Sequence, residues 1–153
     1  MGVFSDSIRQ NVDSVLSKVN KQCYQIAWEL FTSIVHLSPS KVNPGPYATG
    51  LLVNQWYPQA GTPSNAVGTD TSPNGSASLT RINAMMRGTE FLGKDGKLYL
   101  TNNVDHAYRA EVLGWYFPEW SGKSGSDRQG APYRMVARSL TATKAKFKKV
   151  RIK

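Results

Sequence analysis

The chain of 153 residues carries 19 Lys or Arg against ten Asp or Glu, a net charge of +9, with 40% hydrophobic residues; that is one domain's worth of chain with enough apolar content for a small core. No run of about 18 apolar residues offers a membrane helix, and Met1-Gly2-Val3-Phe4-Ser5-Asp6 lacks the basic-then-apolar pattern of a secretory signal. The one cysteine, Cys23, excludes an internal disulfide framework and a multi-thiolate zinc site, as expected of a chain made in a reducing cytoplasm.

The first element is the clearest. Ile8, Val12, Val15, Leu16, Val19, Cys23, Ile26, Ala27, Leu30, Ile34 and Leu37 recur at steps of three and four, which predicts an amphipathic helix over 5–37. Ser5 or Asp6 can cap it and Ser38-Pro39 ends it. Unbroken, it is roughly 45 Å long, so in so small a domain it overhangs the core or packs on another subunit. Cys23 falls on the apolar stripe as a small hydrophobe, and His36 sits in the last turn, where a cation suits the helix C-terminus.

A Pro- and Gly-rich loop covers 38–50, and Leu51 to Tyr57 opens a strand. Residues 58–78 are almost all Pro, Gly, Ser, Thr, Asn and Ala, a composition that predicts a flexible loop ordered by a partner. Ala77–Arg87 reads as a short helix with Leu79, Ile82, Met85 and Met86 apolar. Gly93-Lys94-Asp95-Gly96 between Thr89–Leu92 and Lys97–Thr101 predicts a hairpin. Val104–Leu113 reads as a further short helix, followed by the aromatic run Trp115-Tyr116-Phe117-Pro118-Glu119-Trp120 and a Gly/Ser-rich stretch over 121–130. Pro132 opens the last helix, to about Ala145, with Met135, Val136, Ser139 and Leu140 along one side.

Charge is unevenly distributed. Residues 1–120 hold nine bases and nine acids, whereas 121–153 hold ten bases and one acid, Asp127. Such a block marks a surface for nucleic acid or for an acidic protein.

Groups for catalysis are sparse. The two histidines, His36 and His106, form no metal-ligand spacing with each other or with Cys23. Gly122-Lys123-Ser124 lacks the upstream glycine of a phosphate loop, since Phe117 stands there. Glu111 and Glu119 are a carboxylate pair of the kind chance provides.

The order of several short motifs carries more. A long helix ends in Ser38-Pro39; Thr49-Gly50-Leu51 and Asn54-Gln55-Trp56 follow; then Ser72-Pro73-Asn74-Gly75-Ser76-Ala77, Leu98-Tyr99-Leu100-Thr101-Asn102-Asn103, Ala107-Tyr108-Arg109, Glu111, Gly114-Trp115 and Gly130-Ala131-Pro132-Tyr133-Arg134. Over roughly 5–145 this series resembles the neck and tail-completion proteins of tailed bacteriophages, minor tail proteins of the head–tail connector. The chain departs from the family pattern in a longer spacer between Pro39 and Thr49, one extra residue in Glu111-Val112-Leu113-Gly114, and the Lys-rich end.

The resemblance implies an α+β fold spanning 1–153 as one domain: the long helix packed on a small, mostly antiparallel sheet, with short helices and a long Pro/Gly-rich loop. It implies a virion structural protein of the head–tail junction, made in the host bacterial cytoplasm, with no catalytic centre, cofactor or metal and no membrane. Its partners would be its own copies in a ring, a hexamer before a dodecamer, the adjacent portal or adaptor and tail proteins, and the genomic DNA passing through the channel. The alternatives are a nucleic-acid-binding module using the basic arm 144–153, or a ribosome- or RNA-associated protein.

Expected interface residues are Trp56, Trp115 and Trp120, large aromatics beside Gly/Pro-rich segments. The arm adds Lys144, Lys146, Lys148, Lys149, Val150, Arg151, Ile152 and Lys153. Channel-lining cations must not hold a departing genome, which favours a protein rim as the arm's target, with Val150 and Ile152 pairing as a strand.

Overall fold

The computed structural model describes residues 3–40, 49–88, 96–113 and 132–148. In chain order these form α1 (Val3–Leu37), α2 (Leu51–Asn54), β1 (Tyr57–Ala60), α3 (Ser76–Gly88), β2 (Leu98–Thr101), a π-helical turn (Arg109–Leu113) and α4 (Met135–Phe147). The fold is α+β: the long N-terminal helix packs with the short helices around a two-stranded antiparallel sheet.

Helix α1 follows its three-four periodicity to Leu37. Ser38 N–H then bonds the Val35 carbonyl at 3.1 Å, and Pro39 stops the ladder. Only the C-terminal half of α1 enters the core. Phe31, Ile34 and Val35 are buried there against Leu52, Val53, Trp56, Ile82, Val104, Ala110 and Met135. Removing each such side chain from water contributes about 1.5–3 kcal/mol, so this cluster is the principal source of cohesion. Residues 5–18 of α1 are all exposed, so its first four turns project beyond the body.

Segment 51–57 is less extended than its composition suggests. Gly50, at φ +86°, turns the chain into the single turn α2, and the strand begins only at Tyr57. A Cβ on Gly50 would lie 2.5 Å from the Thr71 carbonyl oxygen, so glycine is required for space as well as for φ. β1 pairs with β2 in the register Tyr57 to Thr101 and Ala60 to Leu98. β2 therefore finds a partner some forty residues upstream; residues 89–92, the expected hairpin partner, lie outside the described residues.

Helix α3 puts Ile82 and Ser78 inward, with Leu79, Met85 and Met86 packed at the core's edge. Helix α4 starts at Met135, three residues after Pro132, and buries Met135, Ser139 and Thr143 at steps of four. Val136 and Leu140, expected on the buried side, stand 38% and 39% exposed. Ser33 Oγ donates to Ser139 Oγ at 3.0 Å and Lys146 reaches Glu29, so α4 runs antiparallel to α1.

Candidate functional site

Several of the motif residues are bonded into the joints between elements. Asn54, fully buried, donates from Nδ2 to the Gly50 and Ser72 carbonyls at 2.8 and 2.6 Å, and accepts from Ala77 N–H at 3.2 Å. One amide thereby joins α2, the end of the Gly/Pro-rich stretch and the start of α3. Arg81 of α3 donates to the Asn54 carbonyl at 2.7 Å, where α2 has exposed its last acceptors, and stacks 4.2 Å above the Tyr57 ring. Asn102 Nδ2 bonds the Leu52 carbonyl at 2.9 Å.

The stretch expected to be flexible is stapled to its own chain. Residues 58–60 belong to β1. Beyond them, Asn103 Nδ2 donates to the Ser64 and Ala66 carbonyls at 2.8 and 3.0 Å, and Thr101 Oγ1 adds a bond to Ser64 at 3.1 Å. Gly68 N–H and the Tyr57 hydroxyl both donate to Gln55 Oε1. The Ser72 hydroxyl and amide both donate to Asp70, holding its carboxyl below the usual carboxylate range. A segment poor in apolar residues is ordered here by polar side chains from Gln55, Thr101 and Asn103, which composition alone does not reveal.

Glu111 serves the last helix. Its carboxylate accepts from Val136 N–H at 3.1 Å and Ala137 N–H at 3.2 Å, the free donors of the first turn of α4. The residue at the helix's own cap position, Arg134, is left-handed at φ 51° and supplies no cap. A carboxylate 25 residues upstream thus satisfies the orphan amides and the positive end of the helix dipole. Tyr133 N–H bonds the Ala110 carbonyl at 2.8 Å and fixes the same junction.

Trp56, expected at an interface, is a core residue at 6% exposure. Its indole N–H donates to Ser38 Oγ at 2.9 Å, and that hydroxyl donates to the Ile34 carbonyl at 2.8 Å. The aromatic ring closes the core beneath the end of α1, and the buried serine meets its polar edge. Lys144 and Lys148 are exposed on the side of α4 away from Ser139 and Thr143, whereas Lys146 turns toward α1 and pairs with Glu29. Trp115, Trp120, Lys149, Val150, Arg151, Ile152 and Lys153 lie outside the described residues.

No protein-family model, curated protein sequence or solved structure matches this chain.

Two surfaces stand out among the described residues. One is the projecting part of α1, where Ile8, Val12, Val15 and Leu16 are 45–51% exposed. The other is the outer side of α4; residues 132–148 carry five bases, Arg134, Arg138, Lys144, Lys146 and Lys148, and no acid. The apolar periodicity had announced the first, but periodicity does not say which turns find a partner within the same chain. Among the described residues no three His, Cys, Asp or Glu side chains gather to hold a metal ion, and no described helix is long and apolar enough to cross a membrane.

Proposed function

We propose that this protein is a structural subunit of the head–tail junction of a tailed phage, a neck or tail-completion protein that joins the tail to the portal or connector around the DNA exit channel. The observation that carries this reading is the convergence of the resemblance motifs. Ser38, Gly50, Asn54, Trp56, Asn102, Glu111 and Tyr133 are spread from position 38 to position 133 of the sequence, yet each is bonded into the joints between elements. A sequence signature that consists of joints is what a family selected for a shape leaves behind; a signature of catalysis gathers instead around an open pocket. The projecting α1 and the cationic α4 then serve as contacts with neighbouring subunits and rings, a hexamer before a dodecamer.

The test is the protein's place in a particle. Antibody-labelled particles viewed by electron microscopy are expected to carry the label at the junction of head and tail, and deletion of 146–153 is expected to give tailless or leaky particles. Label on no part of the particle, with normal infectious particles from the deletion, overturns the reading. A second reading, a nucleic-acid-binding module, draws on the acid-free stretch 132–148. It requires tight binding of DNA or RNA by the isolated protein, falling steeply with salt as phosphate contacts are lost.

A further inference from the structure

The first four turns of α1 stand alone. Residues 5–18 are all exposed, and Ile8, Val12, Val15 and Leu16 form a stripe with nothing from the described body against it. An isolated helix of that length is marginal in water, and β-branched residues at three of these positions weaken it further. Val19, Cys23, Ile26 and Leu30 continue the stripe along α1 and are only partly buried, about a quarter turn from the core residues Phe31, Ile34 and Val35. A helix that remains regular here needs a partner along this stripe.

We propose that the partner is the same segment of a second copy of this chain, packed antiparallel, with Ile8 against the second copy's Val19 and Val12 against its Val15. Three features point to this occupant and this direction. The positions 8, 12, 15 and 19 are spaced four, three, four, an order that reads the same in both directions, so reversal brings every apolar residue onto an apolar residue. The overlapped segment 6–21 holds two acids, Asp6 and Asp13, against three bases, Arg9, Lys18 and Lys21, a net charge of only +1 per copy, so two copies approach with little repulsion. The reversed alignment also opposes the two helix dipoles.

Charge on the bodies excludes the parallel alternative. Five bases and no acid over 132–148 lie on the helix packed along α1, with Lys146 at Glu29. Parallel helices would set two such surfaces side by side. Antiparallel helices hold them at opposite ends of an overlap of about 25 Å, well beyond the screening length at physiological salt. Leu16 flanks the seam and widens it. The dimer rests on the exposed stripe and not on the ring reading: it is the form of the free subunit, and in a particle the same stripe would be given to a neighbour.

Sedimentation of the full-length protein from micromolar to near-millimolar concentration is the first measurement. A monomer–dimer equilibrium is expected, and a monomer throughout overturns the proposal. Val12→Glu should weaken the dimer about 100-fold, because it leaves an unpaired charge in the seam. It should leave the unfolding midpoint of the body unchanged, since Val12 touches none of it. An unchanged dimer in Val12→Glu locates the contact elsewhere and also overturns it. Direction is read by disulfide trapping in a Cys23→Ser background. Mixing Val12→Cys with Val15→Cys protein should give chiefly the mixed dimer, whereas chiefly self-linked Val12→Cys dimers would mean parallel helices and refute the alignment. A missing label at the phage neck together with an intact antiparallel dimer would remove the functional reading and leave this one standing.

Discussion

At the scale of single residues, the joints are the vulnerable points. Gly50→Ala forces a side chain into a left-handed backbone and to within 2.5 Å of a carbonyl oxygen that belongs to the main chain and cannot swing aside. A loss of about 2–4 kcal/mol is expected in denaturant unfolding. Trp56→Phe keeps most of the buried ring but leaves the Ser38 hydroxyl without its indole donor; about 1–2 kcal/mol is expected, against 3–5 for Trp56→Ala. His106 sets a pH response. Burial disfavours its cation more than the neighbouring Asp105 favours it, so its folded pKa lies below the ordinary value. The unfolded chain then binds the proton first as pH falls. Stability is complete above the unfolded pKa and declines as pH falls toward the folded one. A lower unfolding midpoint at about pH 5 than at about pH 7, with a smaller drop in His106→Gln, is the expected outcome in thermal melts.

At the scale of elements, sequence pattern and structure part where polar side chains decide. The period of α1 and the apolar residues of α3 were legible, because burial of a stripe is a local property of a helix. The long stretch after β1 was not, since its order depends on Asn103, Thr101 and Gln55 reaching it from elsewhere in the chain. In the isolated protein, 61–75 is therefore expected to resist limited proteolysis; rapid cleavage there would mean that these bonds do not hold. The inward side of α4 was misjudged for a related reason. Ser139 and Thr143 are buried in place of Leu140 because α1 presents Ser33 and Glu29 at that contact. Trp56 was misplaced because a large aromatic beside glycines reads as a surface feature until its hydrogen-bond partner is seen. Glu111→Gln keeps the shape of the α4 cap and removes its charge, so about 0.5–1 kcal/mol is expected, and Glu111→Ala about 1–2, with faster amide exchange at Val136 and Ala137.

At the scale of the whole molecule, the chain divides into a body that holds itself together and a helical projection that does not contribute to it. Removing residues 1–18 is expected to shift the unfolding midpoint little, while abolishing concentration-dependent mass. The distribution of charge follows the same division: neutral along the projection and cationic along α4. The first was readable from spacing and the second from counting, but their placement along one antiparallel helix pair required the fold.

The way α4 is attached has a consequence for how the molecule breathes. Its first turn is held by a carboxylate from another element, and its inward side meets α1 through Ser139 and Thr143, with Met135 as the large apolar side chain fully buried. Apart from Met135 such a helix surrenders little apolar area on leaving, so within the body it can open as a unit while the cluster around Trp56 stays closed. Native-state hydrogen exchange is expected to show the amides of 138–147 released together, well before those of 31–35. Every such excursion swings out the most cationic stretch of the described chain, which gives the protein a longer electrostatic reach toward an approaching acidic surface than its resting outline has.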